Sequence, residues 1–288
     1  MHYTTLVQAV YYAPRGKKRL MHLGMLVSQR YLGADDRLIG VVGDAGAGKS
    51  LLIRGMFPGL VLTNDDNGVN VRPLPVLEDA RNNFFRMHTY HIDVRFEMAF
   101  TPLWELAEAV EKAISEGHRV VAEHFDLLYS LLNLNAEVLI GVGEEVVVTK
   151  PTIFGPFPSE VAKQAYDSLV YRKMAHSAED LTSIIFEEMG SELPRFHSDV
   201  RRGFVVEFTR EPDVDLYEVE RRVLDYIRED LPICYYDDKS ILIGEERLEC
   251  SGPRIHMKST GEIKQFRLEK EFQYSPISKT FLLAGRVG

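Results

Sequence analysis

Apolar residues recur along this chain in two rhythms. In residues 17–32, Leu20, Leu23, Val27 and Tyr31 fall three or four apart, which predicts a helix with one apolar face. Residues 37–42 (RLIGVV) are a short, nearly unbroken apolar run, the pattern of a strand buried on both faces. A glycine-rich turn follows, then a second helical stretch at 49–57 (KSLLIRGMF), closed by Pro58-Gly59. Residues 60–63 read as another short strand. Residues 64–87, with Asp, Asn, Pro and Gly scattered through them, read as irregular. An amphipathic helix is predicted over 103–116, and strands over 119–125, 136–140 and 145–149. This alternation predicts an α/β domain with a mostly parallel sheet and helical cover.

The texture changes after residues 150–158 (KPTIFGPFP), whose three prolines and glycine make the best linker in the chain. The expected domains are therefore 1–155 and 156–288. In the second, a long helical stretch covers 159–189 with a break, a strand covers 203–209 and a helix 214–230. Short strands and turns continue to the end. That pattern predicts an α+β unit with an antiparallel sheet. No internal repeat or low-complexity tract interrupts either half.

Charge and composition narrow the function classes. The formal charge is -9, so no general basic surface invites nucleic acid, and DNA is not an expected partner. The two cysteines, Cys234 and Cys250, do not amount to a disulfide framework and suit a reducing compartment. No apolar run approaches the ~20 residues that span a bilayer, and the first residues lack a secretory pattern. A cytoplasmic protein without membrane partners is expected. Nothing in the pattern sets an oligomeric state.

The strongest chemical signal is Gly43-Asp44-Ala45-Gly46-Ala47-Gly48-Lys49-Ser50, followed by Leu51, which fits G-x-x-x-x-G-K-[ST] between a predicted strand and helix. Glycines let backbone N–H groups turn toward phosphates at close range, and the helix N-terminus adds partial positive charge. Lys49 would reach the terminal phosphates and the Ser50 hydroxyl would enter a Mg²⁺ shell. ATP or GTP with Mg²⁺ is the expected ligand.

The carboxylates that follow resemble those of P-loop kinases of the uridine kinase and phosphoribulokinase group. The resemblance implies that Asp65 or Asp66 (in TNDDNG) activates an acceptor hydroxyl. It also implies that Glu123, at the end of Val120-Val121-Ala122-Glu123, holds Mg²⁺ or its waters, with Asp93 a rival for that role. Two departures stand out. His124 occupies the place of a family glycine, and the region of the family's arginine-rich lid carries no arginine before Arg172. His88 and His91 flank a strand-like segment, with structural and substrate-facing roles both open.

Four residues of the C-terminal half suggest a second metal. His176 and Asp180 lie four apart, on one face of a helix, and Cys250 and His256 flank a Gly-Pro turn. One Cys, two His and one Asp make a candidate Zn²⁺ set. Residues 160–288 resemble the second additional domain, the editing domain, of alanyl- and threonyl-tRNA synthetases. The likeness rests on Cys250 and on His256-Met257-Lys258-Ser259-Thr260-Gly261-Glu262-Ile263 with Phe266-Arg267-Leu268, against a family pattern of C-G-G-T-H, three residues, T-G-[DE]-I, two residues and F-[KR]-[IL]. Asp180 stands in place of the family's second histidine. Five residues separate Cys250 from His256, against three in the family pattern.

Together these readings point to a P-loop kinase-like phosphotransferase or NTPase joined to an editing-like module that takes a small molecule or aminoacyl-tRNA. Two alternatives carry the same motifs. One is a zinc-dependent hydrolase of aminoacyl-tRNA or amino-acid esters under nucleotide control. The other is a non-enzymatic, nucleotide-gated sensor of a small ligand.

Overall fold

The computed structural model describes residues 6–64, 72–132 and 134–288. The chain divides into two compact units. The first comprises residues 1–11 and 18–167, the second residues 12–17 and 168–288. The proline-rich segment 150–158 lies inside the first unit, and the division falls within a helix.

The first unit begins with β1 (Ala9–Tyr12), α1 (Lys17–Tyr31), β2 (Leu38–Val42) and α2 (Lys49–Met56). It continues with α3 (Pro75–Asn82), β3 (Thr89–Asp93), the single turn α4 (Val94–Glu97), α5 (Leu103–Ser115) and β4 (Arg119–Glu123). The short α6 (Phe125–Leu128), β5 (Val138–Val142) and β6 (Glu145–Thr149) complete its sheet. The strand order is β1-β6-β5-β2-β4-β3. Strands β5, β2, β4 and β3 run parallel, and β6 is antiparallel to β5. All residues of β2 and β5 are buried, as expected of strands covered on both faces. Leu106, Val110 and Ala113 of α5 pack with Val120 and Ala122 of β4 in the core.

Two local expectations are corrected. Residues 60–63 form no strand: the Thr63 amide is bonded to the His91 side chain, 3.1 Å away. The stretch 64–87 is not irregular throughout, because α3 lies within it. Pro75 opens that helix, where a missing N–H costs nothing, and Asn83 ends it in the left-handed region.

The second unit holds most of α7 (Pro158–Glu188), an unbroken helix where the sequence suggested a break. It then runs through β7 (Phe196–Val200), β8 (Gly203–Phe208), α8 (Leu216–Glu229), β9 (Ile233–Asp237), β10 (Ser240–Ile243) and β11 (Glu246–Glu249). Strands β12 (Arg267–Leu268), β13 (Gln273–Ser275) and β14 (Thr280–Arg286) close the chain. Its two sheets are antiparallel: β12-β14-β8-β7 with β13 on β14, and β11-β10-β9. Phe204, Val206 and Phe208 of β8 alternate inward to meet Phe186 of α7 and Val219 and Val223 of α8. Asp215 caps α8 by accepting from the Tyr217 amide. No helix among the described residues is long and apolar enough to cross a membrane.

Candidate functional sites

The glycine-rich segment joins the carboxyl end of β2 to the first turn of α2, the place where open α/β sheets gather ligands. Its backbone explains its composition. Gly43, Gly46 and Gly48 all have positive φ, at 146°, 78° and 98°. A Cβ on Gly43 would approach the Val142 carbonyl oxygen to 2.5 Å, and one on Gly48 would run into Leu20. Asp44 folds the turn by accepting from the Ala45 amide through its side chain (2.8 Å) and from the Ala47 amide through its carbonyl (3.2 Å).

Lys49 is buried and donates to the Asp44 carbonyl at 3.1 Å. Its Nζ stands 3.8 Å from Oε2 of Glu123, a buried carboxylate at the end of β4. Oε1 of Glu123 accepts from the Ser50 hydroxyl at 3.0 Å. It also accepts from His91 Nε2 at 3.2 Å. Burial by itself would raise the Glu123 carboxyl. The His91 hydrogen bond, the Lys49 charge and the Ser50 hydroxyl outweigh burial and hold it below its ordinary range. His91 is thereby resolved as a structural partner of this carboxylate. The Thr63 amide can only donate, so Nδ1 accepts and Nε2 carries the proton offered to Glu123.

Asp93 sits beside Glu123 in the parallel register of β3 and β4. Its Oδ1 caps α4 through the Phe96 amide, and its Oδ2 accepts from Asn64 at 2.9 Å. Asp93 is thus committed to local structure, whereas Glu123 reaches both Ser50 and Lys49. Asp65 and Asp66 lie outside the described residues. Three further residues join the site, of which the sequence pattern had marked only His124, as a departure. His124, in the left-handed region, is kept neutral, with its pKa near 4, by burial and then by the Lys49 charge. Asp126 is raised by burial, and its Oδ1 has no hydrogen-bond partner. Arg95, exposed just beyond β3, stands 3.7 Å from Asp44 of the loop.

The second cluster lies in the other unit. The middle of α7 is buried and yet carries Arg172, His176, Glu179 and Asp180. Burying such charges is costly unless they pair, and Glu179, Asp180 and His176 do. Arg15 enters from residues 12–17 and is almost wholly buried. Its Nη1 lies 3.3 Å from Glu179, its Nη2 bonds Asp180 Oδ2, and its amide donates to Asp199 of β7 at 3.3 Å. His256 Nε2 stands 2.9 Å from the same Asp180 oxygen and 3.3 Å from Arg15 Nη2.

Of the four residues expected to hold zinc, Asp180, Cys250 and His256 come together, with donor atoms within 4.8 Å of one another. His176 does not join them. Its Nε2 donates to Asp199 at 3.1 Å, and its Nδ1 is buried without a hydrogen-bond partner. Burial drives its pKa down to about 3. Burial raises Glu179 to about 7. For Asp180, burial is overcome by Arg15 and His256, which leaves it at about 2. Arg15 and Glu179 were not foreseen, since Arg15 is 165 positions from Asp180 and no local pattern ties them.

No protein-family model matches the chain, and no curated protein matches it.

Proposed function

We propose that the first unit binds a nucleoside triphosphate, ATP or GTP, with Mg²⁺, and that the protein is a P-loop NTPase or kinase-type phosphotransferase. The observation that carries this reading is the meeting of Lys49, Ser50 and Glu123 at the carboxyl ends of β2 and β4, directly after a loop whose glycines have positive φ. The donor set suits the ion: a hydroxyl and a carboxylate are the hard oxygen ligands Mg²⁺ takes. When bound, Mg²⁺ would neutralise charge on the phosphate oxygens. Backbone amides of residues 43–50 would cradle the phosphates, and Lys49 would supply a buried positive charge. Ser50 and Glu123 would hold the ion or its waters, and His91 would keep Glu123 aimed. Asp65 or Asp66 remains the proposed base toward an acceptor hydroxyl.

One observation favours the sensor reading instead. Arg95 lies beside the loop, 3.7 Å from Asp44, and residues 150–158 carry no arginine where the kinase resemblance would place a lid. Turnover decides between the two readings. The site itself is tested by calorimetric titration of ATP and GTP, with Mg²⁺, into the wild type and Lys49→Ala. The wild type is expected to bind, and the variant to bind at least about 100-fold more weakly, a loss of roughly 2.7 kcal/mol. Equal affinity in the two proteins would remove residues 43–50 from nucleotide binding.

A further inference from the structure

The cluster around Asp180 raises a question independent of the nucleotide site: what balances the buried Asp180 carboxylate among two half-buried metal-type donors? Asp180, Cys250 and His256 gather a carboxylate, a thiol and an imidazole within 4.8 Å. A zinc ion bound by them would sit about 2.0–2.3 Å from each donor atom. The structure puts another cation there. Nη2 of Arg15 bonds Asp180 Oδ2 and lies 3.3 Å from His256 Nε2. Its charge also acts on Cys250, whose thiol is nonetheless held above its ordinary range by burial and by Asp180. An ion placed among these donors would collide with the guanidinium nitrogen and would bring two more positive charges beside it.

The arginine is not a loose side chain that happens to fall inward. It is about 2% exposed, and Nη1 is engaged by Glu179 and by the His176 carbonyl. The turn between Cys250 and His256 is shaped around it. A Cβ on Gly252 would come within 3.1 Å of Arg15 Cγ. The turn has two more residues than the synthetase pattern it resembles. His176, which that pattern would use as a ligand, faces Asp199 instead.

We propose that Arg15 is the resident cation of this site, occupying the place that the resemblance gives to zinc. The second unit is then complete without a metal, and the donors form a latent zinc site closed by one side chain. Metal-activated hydrolysis of an aminoacyl ester is excluded at this site for as long as Arg15 is in place.

The test uses the full chain. Wild type, Arg15→Met and Arg15→Met/Cys250→Ser are purified without a metal-affinity tag, equilibrated with zinc, and assayed for zinc by elemental analysis. The wild type is expected to carry essentially none. Arg15→Met, which keeps an unbranched apolar stem and removes the guanidinium, is expected to take up about one zinc per chain and to lose it in the double variant. A wild type with one zinc per chain, lost in a Cys250→Ser protein assayed alongside, would overturn the proposal. So would a folded Arg15→Met protein that takes up no more zinc than the wild type. Should Arg15→Met fail to fold, Co²⁺ titration of the wild type decides. A thiolate-to-cobalt absorption band overturns the assignment, and its absence upholds it.

Discussion

The glycine-rich loop and the Arg15 cluster are both concentrations of buried charge, but their cations are paired differently. Around the loop, the charged groups are only loosely satisfied by one another. Lys49 and Glu123 stand 3.8 Å apart, and Asp126 Oδ1 has no partner. In the other unit, Arg15 is held by Glu179, Asp180 and the His176 carbonyl, and its amide by Asp199. Lys49 donates to the Asp44 carbonyl but has its nearest carboxylate only at 3.8 Å, which suits the polyanion proposed for that site. The Arg15 guanidinium has two carboxylate partners, although its Nε and His176 Nδ1 are buried without partners, and an ion entering there must first displace the guanidinium. The same residue types, Asp, Glu, His and a cation, are thus paired at different strengths in the two units.

This contrast can be broken most forcefully at Arg15. Replacing it with alanine leaves Asp180 buried without its cation, and losing one partner of a buried pair typically costs about 3–5 kcal/mol. Urea unfolding followed by circular dichroism should register a loss of that size. A change below about 1 kcal/mol would mean that the cluster is not the internally closed network described.

Glu123→Gln offers the matching test in the first unit. It keeps the shape of the side chain but removes the charge facing Ser50 and Lys49. Mg²⁺-dependent turnover is expected to fall on the order of 10²-fold, roughly 2.7 kcal/mol, while nucleotide binding survives. An unaffected rate would move the ion's carboxylate to Asp93.

The pH dependence of stability should show a smaller and more particular signature. His176 is kept neutral down to about pH 3, so below its unfolded value near 6.5 the folded state progressively loses stability. Glu179 titrates near 7 in the fold and near 4.5 when unfolded, so acidification through that range adds stability. The two slopes oppose each other between about pH 6.5 and 4.5. Asp180, depressed to about 2, joins His176 below about pH 4. Stability of the second unit is therefore expected to be nearly level from pH 7 to 4.5 and to fall steeply below. Glu179→Gln removes the opposing slope, and the decline should then begin near pH 6.5. Thermal unfolding across that range checks both statements; identical profiles for the two proteins would contradict them.

The smallest effect is expected at Arg95. Its side chain is exposed, and its partner Asp44 is half exposed. Arg95→Ala should weaken nucleotide affinity only about threefold at low salt, and less as salt rises. A loss as large as that of Lys49→Ala would make Arg95 an essential phosphate contact.

How much of this was legible beforehand depended on the range over which residues act. Helices α1, α2, α5 and α8 were read to within about two residues, because an amphipathic face is a local pattern. The strands β2 and β6 were legible as apolar runs. The helix α3 was missed because its first residue, Pro75, and its C-cap, Asn83, sit amid turn-forming residues that masked a short apolar face. Residues 60–63 looked like a strand because apolar character was present, but the Thr63 amide found the His91 side chain and not a neighbouring strand. The long α7 was expected to break but runs unbroken, and the partners of its buried charges cannot be seen along the chain.

The sequence by itself determined the glycine-rich loop on which the nucleotide proposal rests, because eight consecutive residues carry its glycines, its lysine and its hydroxyl together. It also marked His176, Asp180, Cys250 and His256 as one candidate metal set, of which the fold gathers the last three. Only the tertiary structure decided what surrounds them. Glu123 meets Ser50 across 73 positions, and Arg15 meets Asp180 across 165. Charge pairing across such separations leaves no periodicity in the chain. It exists only once the parallel strands bring Glu123 beside the loop and the folded second unit closes around Arg15.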